Sequence, residues 1–197
     1  FWETRLNPAH TAQLLPYGMP QFQPETAKAL TPGTVAILGI PWDKSSTFMR
    51  GPAQAPDKVR EQLYGGSANL CTESGIDLGD REDFKDLGDL NLGADTDAQE
   101  AIETGASQLL ERGIRLLSIG GDHSVTAPLV AAHAKLYPNV EILHFDAHPD
   151  LYDEYEGDRF ANAGPFARIM EAGHARRLVQ VGIRTMNPHQ RAQAERF

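Results

Sequence analysis

Asp146-Ala147-His148-Pro149-Asp150 places two carboxylates and an imidazole at alternate positions, directly behind the apolar run Val140 to Phe145. In extended chain, alternate side chains point to the same side. Carboxylate oxygens with an imidazole nitrogen make a hard donor set suited to Mn2+ or a similar divalent ion. Asp and Pro are also common where a strand ends in a turn, so a plain turn is the competing reading. His144 and His148 have the H-x-x-x-H spacing of a helical zinc site, but the glutamate of that motif is missing and the segment reads as strand. His144 should face the same side as Asp146, near or beneath the site, with core packing as its expected role.

A second cluster, Gly120-Gly121-Asp122-His123-Ser124, also follows an apolar run. Two glycines ahead of His123 let its imidazole approach closely over a turn. The alternative is a capped helix start, with Asp122 or Ser124 bonding the first amide groups, and both roles are compatible.

The elements that must hold these clusters can be read from periodicity. Short apolar runs at Val35–Ile40, Ile114–Ile119, Val140–Phe145 and Leu178–Ile183 read as strands, with a weaker one at Asp86–Leu90. Helical patterns lie between them, at Asp57–Tyr64, from a Thr96–Gln99 capping box to Gly113, from Val125 to Leu136, and at Pro165–Ala172. A polar helical pattern from Pro188 to Phe197 shows no cap or stop signal. This alternation predicts an α/β fold in three layers, α/β/α, around a mainly parallel sheet. Each firm strand is followed at once by a polar or Gly-bearing cluster, including Gly39-Ile40-Pro41-Trp42-Asp43 and Gly182-Ile183-Arg184-Thr185. Ligands of open parallel sheets bind beyond the carboxyl ends of the strands, so the clusters converge on one rim. Residues 1–33 read as an N-terminal arm, and residues 34–197 as part of one domain.

Composition removes several function classes. A formal net charge of -9 opposes a nucleic-acid partner. No apolar run is long enough for a membrane helix and no secretory signal is visible. The lone Cys71 gives no disulfide framework, so a cytoplasmic location is expected. Both ends, Phe1 and Phe197, look cut.

Together the two clusters resemble the paired signature of the ureohydrolase family, which includes arginase and agmatinase. The resemblance extends to Gly39–Asp43, Arg50-Gly51-Pro52, Val59-Arg60 and Gln180–Arg184, so it covers about residues 34 to 197. Phe166-Ala167-Arg168-Ile169-Met170-Glu171 is similar to the branch of agmatinase-like proteins and plant-type arginases. It implies an arginase-like fold, incomplete at its C-terminal end, and hydrolysis of a linear guanidino compound, agmatine-like, to urea and an amine. Two Mn2+ ions would activate one water, with another divalent ion such as Ni2+ as an alternative. Residue by residue, His123 and Asp150 would hold one ion, His148 the other, and Asp146 would bridge them. Homo-oligomers are usual in the family.

Two departures matter. The family's later Asp-x-Asp ligands and a guanidinium-binding Glu lie beyond this chain, which as given should bind metal weakly and not turn over substrate. Asn162 stands where the family usually carries a proton-shuttling His, and an amide cannot donate a proton as an acid does. A catalytically degenerate member with a metal-binding or assembly role is therefore the second hypothesis. Arginase, guanidinobutyrase or guanidine hydrolase specificity is a variant of the first, and a single-metal deacetylase is a distant third. His174 and His189 could replace the shuttle only by residue type. Trp42 and Asp43 read as turn packing, Asp153, Glu154, Glu156 and Asp158 as a solvated acidic loop, and Arg184 as a partner for acidic neighbours.

Overall fold

The unbroken apolar run Val35–Ile40 forms strand β1, in which Ala36, Ile37, Leu38 and Ile40 are at most 1% exposed. Burial on both faces is what a central parallel strand requires. In the computed structural model, which describes residues 21–93 and 97–197, β1 lies between β2 (Phe84–Asp89) and β3 (Arg115–Gly120), parallel to both. A second parallel pair joins β4 (Glu141–Phe145) to β5 (Arg177–Val181). Among the described residues β3 and β4 do not pair, so the expected parallel sheet takes the form of two ladders, β2-β1-β3 and β4-β5. Apolar side chains are left open on their strands: Leu117 is 50%, Leu143 60% and Phe145 71% exposed.

Helices supply each crossover. Helix α1 (Pro24–Lys28) precedes β1, and α2 (Ala55–Leu63), α3 (Ala98–Leu110), α4 (Thr126–Ala134) and α5 (Pro165–Glu171) connect successive strands; α6 (Pro188–Arg196) follows β5. This is the α/β class predicted. Ile102 and Leu109 of α3 are fully buried in the core cluster of β1, and α3 also packs on α4 through Ala106, Leu110 and Ala132. Phe166 and Ile169 of α5 build a second cluster with Ala127 and Leu151 beside β4 and β5.

Two local expectations need correction. The cap of α3 is Asp97, whose Oδ1 accepts from Gln99 and Glu100 N–H; Thr96, expected as the cap, lies outside the described residues. The polar helix α6 does carry a start signal: Asn187 and Gln190 form a reciprocal capping box. Asn is as good a cap as Ser, and Pro188 at the first helical position adds to the start signal. Of the proposed arm, residues 1–20 lie outside the described residues; Phe22, 8% exposed, joins the core and donates its N–H to Asp89 O at 2.7 Å.

A buried ion pair ties the weak strand β2 to α2. Its register against β1 slips between Ile37 and Gly39, where Gly88 has φ 77°. The slip lays the Asp89 carboxylate over Gly39, where a Cβ would sit 1.8 Å from Asp89 Oδ1. Arg60 of α2, 1% exposed, grips both Asp86 oxygens at 2.8 and 2.9 Å, Gly88 O at 3.0 Å, and Asp89 Oδ1.

Candidate metal centre

Beyond Gly120 the chain turns at once, and Gly121 permits it. A Cβ there would meet Trp42 O at 2.0 Å and Ile40 O at 2.7 Å. The same close passage lets Gly121 N–H donate to Ile40 O (3.1 Å) and Asp122 N–H to Trp42 O (2.8 Å). Asp122 then caps a single turn, His123–Val125, by accepting from Ser124 N–H at 3.0 Å. Its other oxygen accepts from Ser46 Oγ at 3.1 Å, which ties the loop after β1 to the tip of β3. Capping thus falls to Asp122, and His123 is free to project.

At the tip of β4 the chain bends rather than running on extended. Asp146 Oδ1 accepts from His148 N–H at 2.7 Å, the turn described above as the competing reading. Asp150 has φ 46°, one of only two described non-glycine residues with positive φ. Asp tolerates that region better than most side chains. The alternation argument therefore fails in its geometry, because a turn with a left-handed residue, not an extended strand, brings the carboxylates round. The turn still brings a carboxylate to the tip of β3: Asp150 Oδ2 lies 2.6 Å from His123 Nδ1.

The remaining groups form a chain of contacts. The rings of His123 and His144 lie 5.3 Å apart, and both pack on Phe166, at 5.4 and 4.3 Å. His144 Nε2 is 3.5 Å from Asp146 Oδ2, and His148 Nδ1 is 3.4 Å from Asp146 Oδ1. Ligand atoms of His123, His144 and Asp146 fall within 4.8 Å of one another. His148 sits at the rim with its side chain 51% exposed. Of the four residues predicted for metal, His123 and Asp146 fall in this group, Asp150 touches His123, and His148 touches Asp146 from outside it. His144, expected in the core, is both packed there and turned into the site. Its place was readable from its position two before Asp146; Gln180 and Phe166 gave no comparable signal.

The surroundings keep Asp146 ionised. Burial opposes the charge of Asp146, but the His148 N–H and the nearby His144, His123 and His148 outweigh it, holding its pKa below the usual carboxylate value. Burial, then the neighbouring His123, pushes His144 below the ordinary imidazole value, so it favours the neutral form. His144 Nε2 is buried without a hydrogen-bond partner among the described residues. Two carboxylates and neighbouring imidazoles fit a divalent ion of mixed oxygen and nitrogen preference.

Asn162 takes part differently. Its Oδ1 accepts from Thr47 N–H at 2.9 Å and its own N–H donates to Ser45 O at 3.0 Å, clamping the loop after β1. Asp43 caps that loop by accepting from Gly51 N–H at 2.7 Å. The acidic loop is partly neutralised, since Asp153 contacts Arg168 at 2.7 Å and Arg159 at 3.2 Å. His189 accepts from Asp153 N–H at 3.2 Å, and Arg184 N–H donates to Ala147 O at 3.0 Å.

Residues 33–197 match the Arginase family. The chain belongs to that family. Arginase 2, chloroplastic/mitochondrial, of Arabidopsis thaliana is 46% identical over 173 residues, covering 83% of this chain and 50% of the relative. An agmatinase of Serratia proteamaculans is 37% identical over 164 residues, covering 78% and 51%. The arginase structure from Medicago truncatula superposes with a TM-score of 0.78 at 37% identity, over 88% of this chain and 58% of that one. This family member therefore spans about half the length of the curated relatives it matches.

Proposed function

We propose that the protein containing this chain is a metal-dependent amidinohydrolase that splits a linear guanidino compound into urea and an amine. The observation that carries the reading is the 2.6 Å contact of His123 with Asp150, which joins the tips of β3 and β4 at one polar site. His123, Asp146, His148 and Asp150 would hold the ions, for which Mn2+ is the first choice. A bound divalent ion supplies Lewis acidity, bringing the ionisation of water toward neutral pH. The chain's own groups do the rest. Asp146 stays ionised, the His148 N–H fixes one of its oxygens, and Phe166 props the two imidazoles from behind.

Identities of 42–46% to plant arginases against 35–37% to bacterial agmatinases support arginine ahead of the agmatine-like substrate read from sequence. The test is urea release by the full-length protein with Mn2+, from arginine, agmatine, guanidinobutyrate and guanidine in parallel. Failure on all four sinks the proposal. The degenerate reading rests on one observation: the Asn162 oxygen is already taken by Thr47 N–H, and an amide offers no acid. A homo-oligomer in the cytoplasm completes the proposal, supported by family habit and by the lone, exposed Cys71.

A further inference from the structure

Three ligand-type atoms, from His123, His144 and Asp146, cluster within 4.8 Å, a grouping that admits His144 as a direct ligand. The neighbouring strand argues otherwise. Gln180 faces His144 across the β4–β5 ladder in direct register. Its side-chain nitrogen lies 2.7 Å from Pro149 O and 3.0 Å from His144 Nδ1. Pro149 O can only accept, so the amide group facing it must be the NH2 rather than the oxygen. That NH2 has two hydrogens, one for Pro149 O and one for His144 Nδ1. A nitrogen that accepts a hydrogen bond carries no proton, so the proton of the neutral imidazole resides on Nε2. An Nε2–H cannot ligate a metal; it can only donate. The carboxylate in front of it is Asp146, whose Oδ2 is 3.5 Å away. Oδ1 of the same group already accepts from His148 N–H at 2.7 Å.

We infer that Gln180 and His144 are positioning residues: Gln180 fixes the Nε2–H tautomer of His144, which then orients the Asp146 carboxylate for the metal without binding the metal itself. The His144 ring is also locked mechanically, 8% exposed and 4.3 Å from the Phe166 ring. Asp146 Oδ1 is held by a hydrogen bond, while Oδ2 faces His144 Nε2 at 3.5 Å, a polar contact longer than a normal hydrogen bond; each oxygen keeps lone-pair capacity for a cation. Support of this kind around a ligand typically changes metal affinity by about 10–100-fold when it is removed. The inference deepens the metal-centre reading above and rests on it for the role of Asp146, but the tautomer follows from hydrogen bonding alone.

The experiment uses full-length protein and Mn2+ alone, titrated by the electron paramagnetic resonance signal of the free ion. His144→Gln places an amide N–H donor near the Nε2 position, whereas His144→Phe keeps the ring and removes every donor. The expected result is Mn2+ binding close to wild type in His144→Gln and weakened about tenfold or more in His144→Phe. Equal, large losses in both variants would make His144 a ligand and overturn the inference; two variants that bind like wild type would overturn it as well. Long-range proton–nitrogen correlation spectra of metal-free wild-type protein, labelled at histidine nitrogen, give an answer that no folding defect can obscure. They should show His144 protonated at Nε2, and protonation at Nδ1 would refute the assignment. Lack of urea release with the expected binding pattern would sink the hydrolase proposal and leave this one standing.

Discussion

Replacing Arg60 by Met tests whether the buried ion pair, rather than strand propensity, holds β2 in its slipped register. Methionine keeps an apolar stem of similar length but abandons Asp86, Gly88 O and Asp89. The side chains of Arg60 and Asp89 are 2% and 7% exposed, so solvent cannot replace the lost partner at Asp89. Removing one member of a buried pair typically costs about 3–5 kcal/mol. Against a total stability on the order of 5–15 kcal/mol, that is a large fraction. The assay is denaturant unfolding of full-length, metal-stripped protein, read as a shift in midpoint at constant slope. Burial, exceeding the help from Arg60, raises the Asp89 pKa above its ordinary value. A raised acid destabilises the fold while ionised, and that cost vanishes as pH falls through its folded pKa. The deficit of Arg60→Met should therefore shrink on acidification through the carboxylate range, and Asp89→Asn should recover much of it at neutral pH. A loss below about 1 kcal/mol, the range of an exposed pair, would refute the reasoning. So would a deficit that Asp89→Asn leaves untouched.

Asn162→His should raise urea formation by up to ~10²–10⁴-fold if only an acid is missing, but it gives up the Thr47 contact at about 1 kcal/mol of stability; kcat without gain counts against the shuttle reading. Gly121→Ala must drive a methyl against Trp42 O and Ile40 O, both backbone, and should cost about 3 kcal/mol or more together with Mn2+ binding. A soluble variant melting like wild type would show that this passage is loose. On acidification, His144 has a folded pKa below its unfolded value of 6.5, so its contribution is complete above that pH and lost as pH falls below it. Stability of metal-free protein should drop over that interval and drop less in His144→Phe. The 197-residue chain by itself should self-associate, since the outer edge of β3 is unpaired among the described residues and Leu143 and Phe145 lie open. A monomer in sedimentation that melts sharply would contradict this.

How far the site was legible depends on which kind of information placed each residue. Strands β1, β3, β4 and β5 declare themselves because buried parallel strands need unbroken apolar runs, and the rim position of His123 and Asp150 follows from sitting just behind such runs. β2 was only faintly legible. Phe84-Lys85-Asp86-Leu87-Gly88-Asp89 lacks the apolar run, and what compensates is Arg60, 26 and 29 residues earlier in the chain. No local pattern encodes a pairing at that distance. The same limit explains Gln180, whose role exists only through the register that sets it opposite His144. In the candidate metal cluster the able residues meet by another backbone path than the alternation expected from sequence: a turn and the positive φ of Asp150 do the aiming. Spacing of chemically able residues thus survives an error about local conformation, because two different backbone paths can deliver the same side chains. The orientation of those side chains does not survive it. Whether His144 binds a metal or braces Asp146 depends on a single proton, and that proton is placed by a glutamine on another strand.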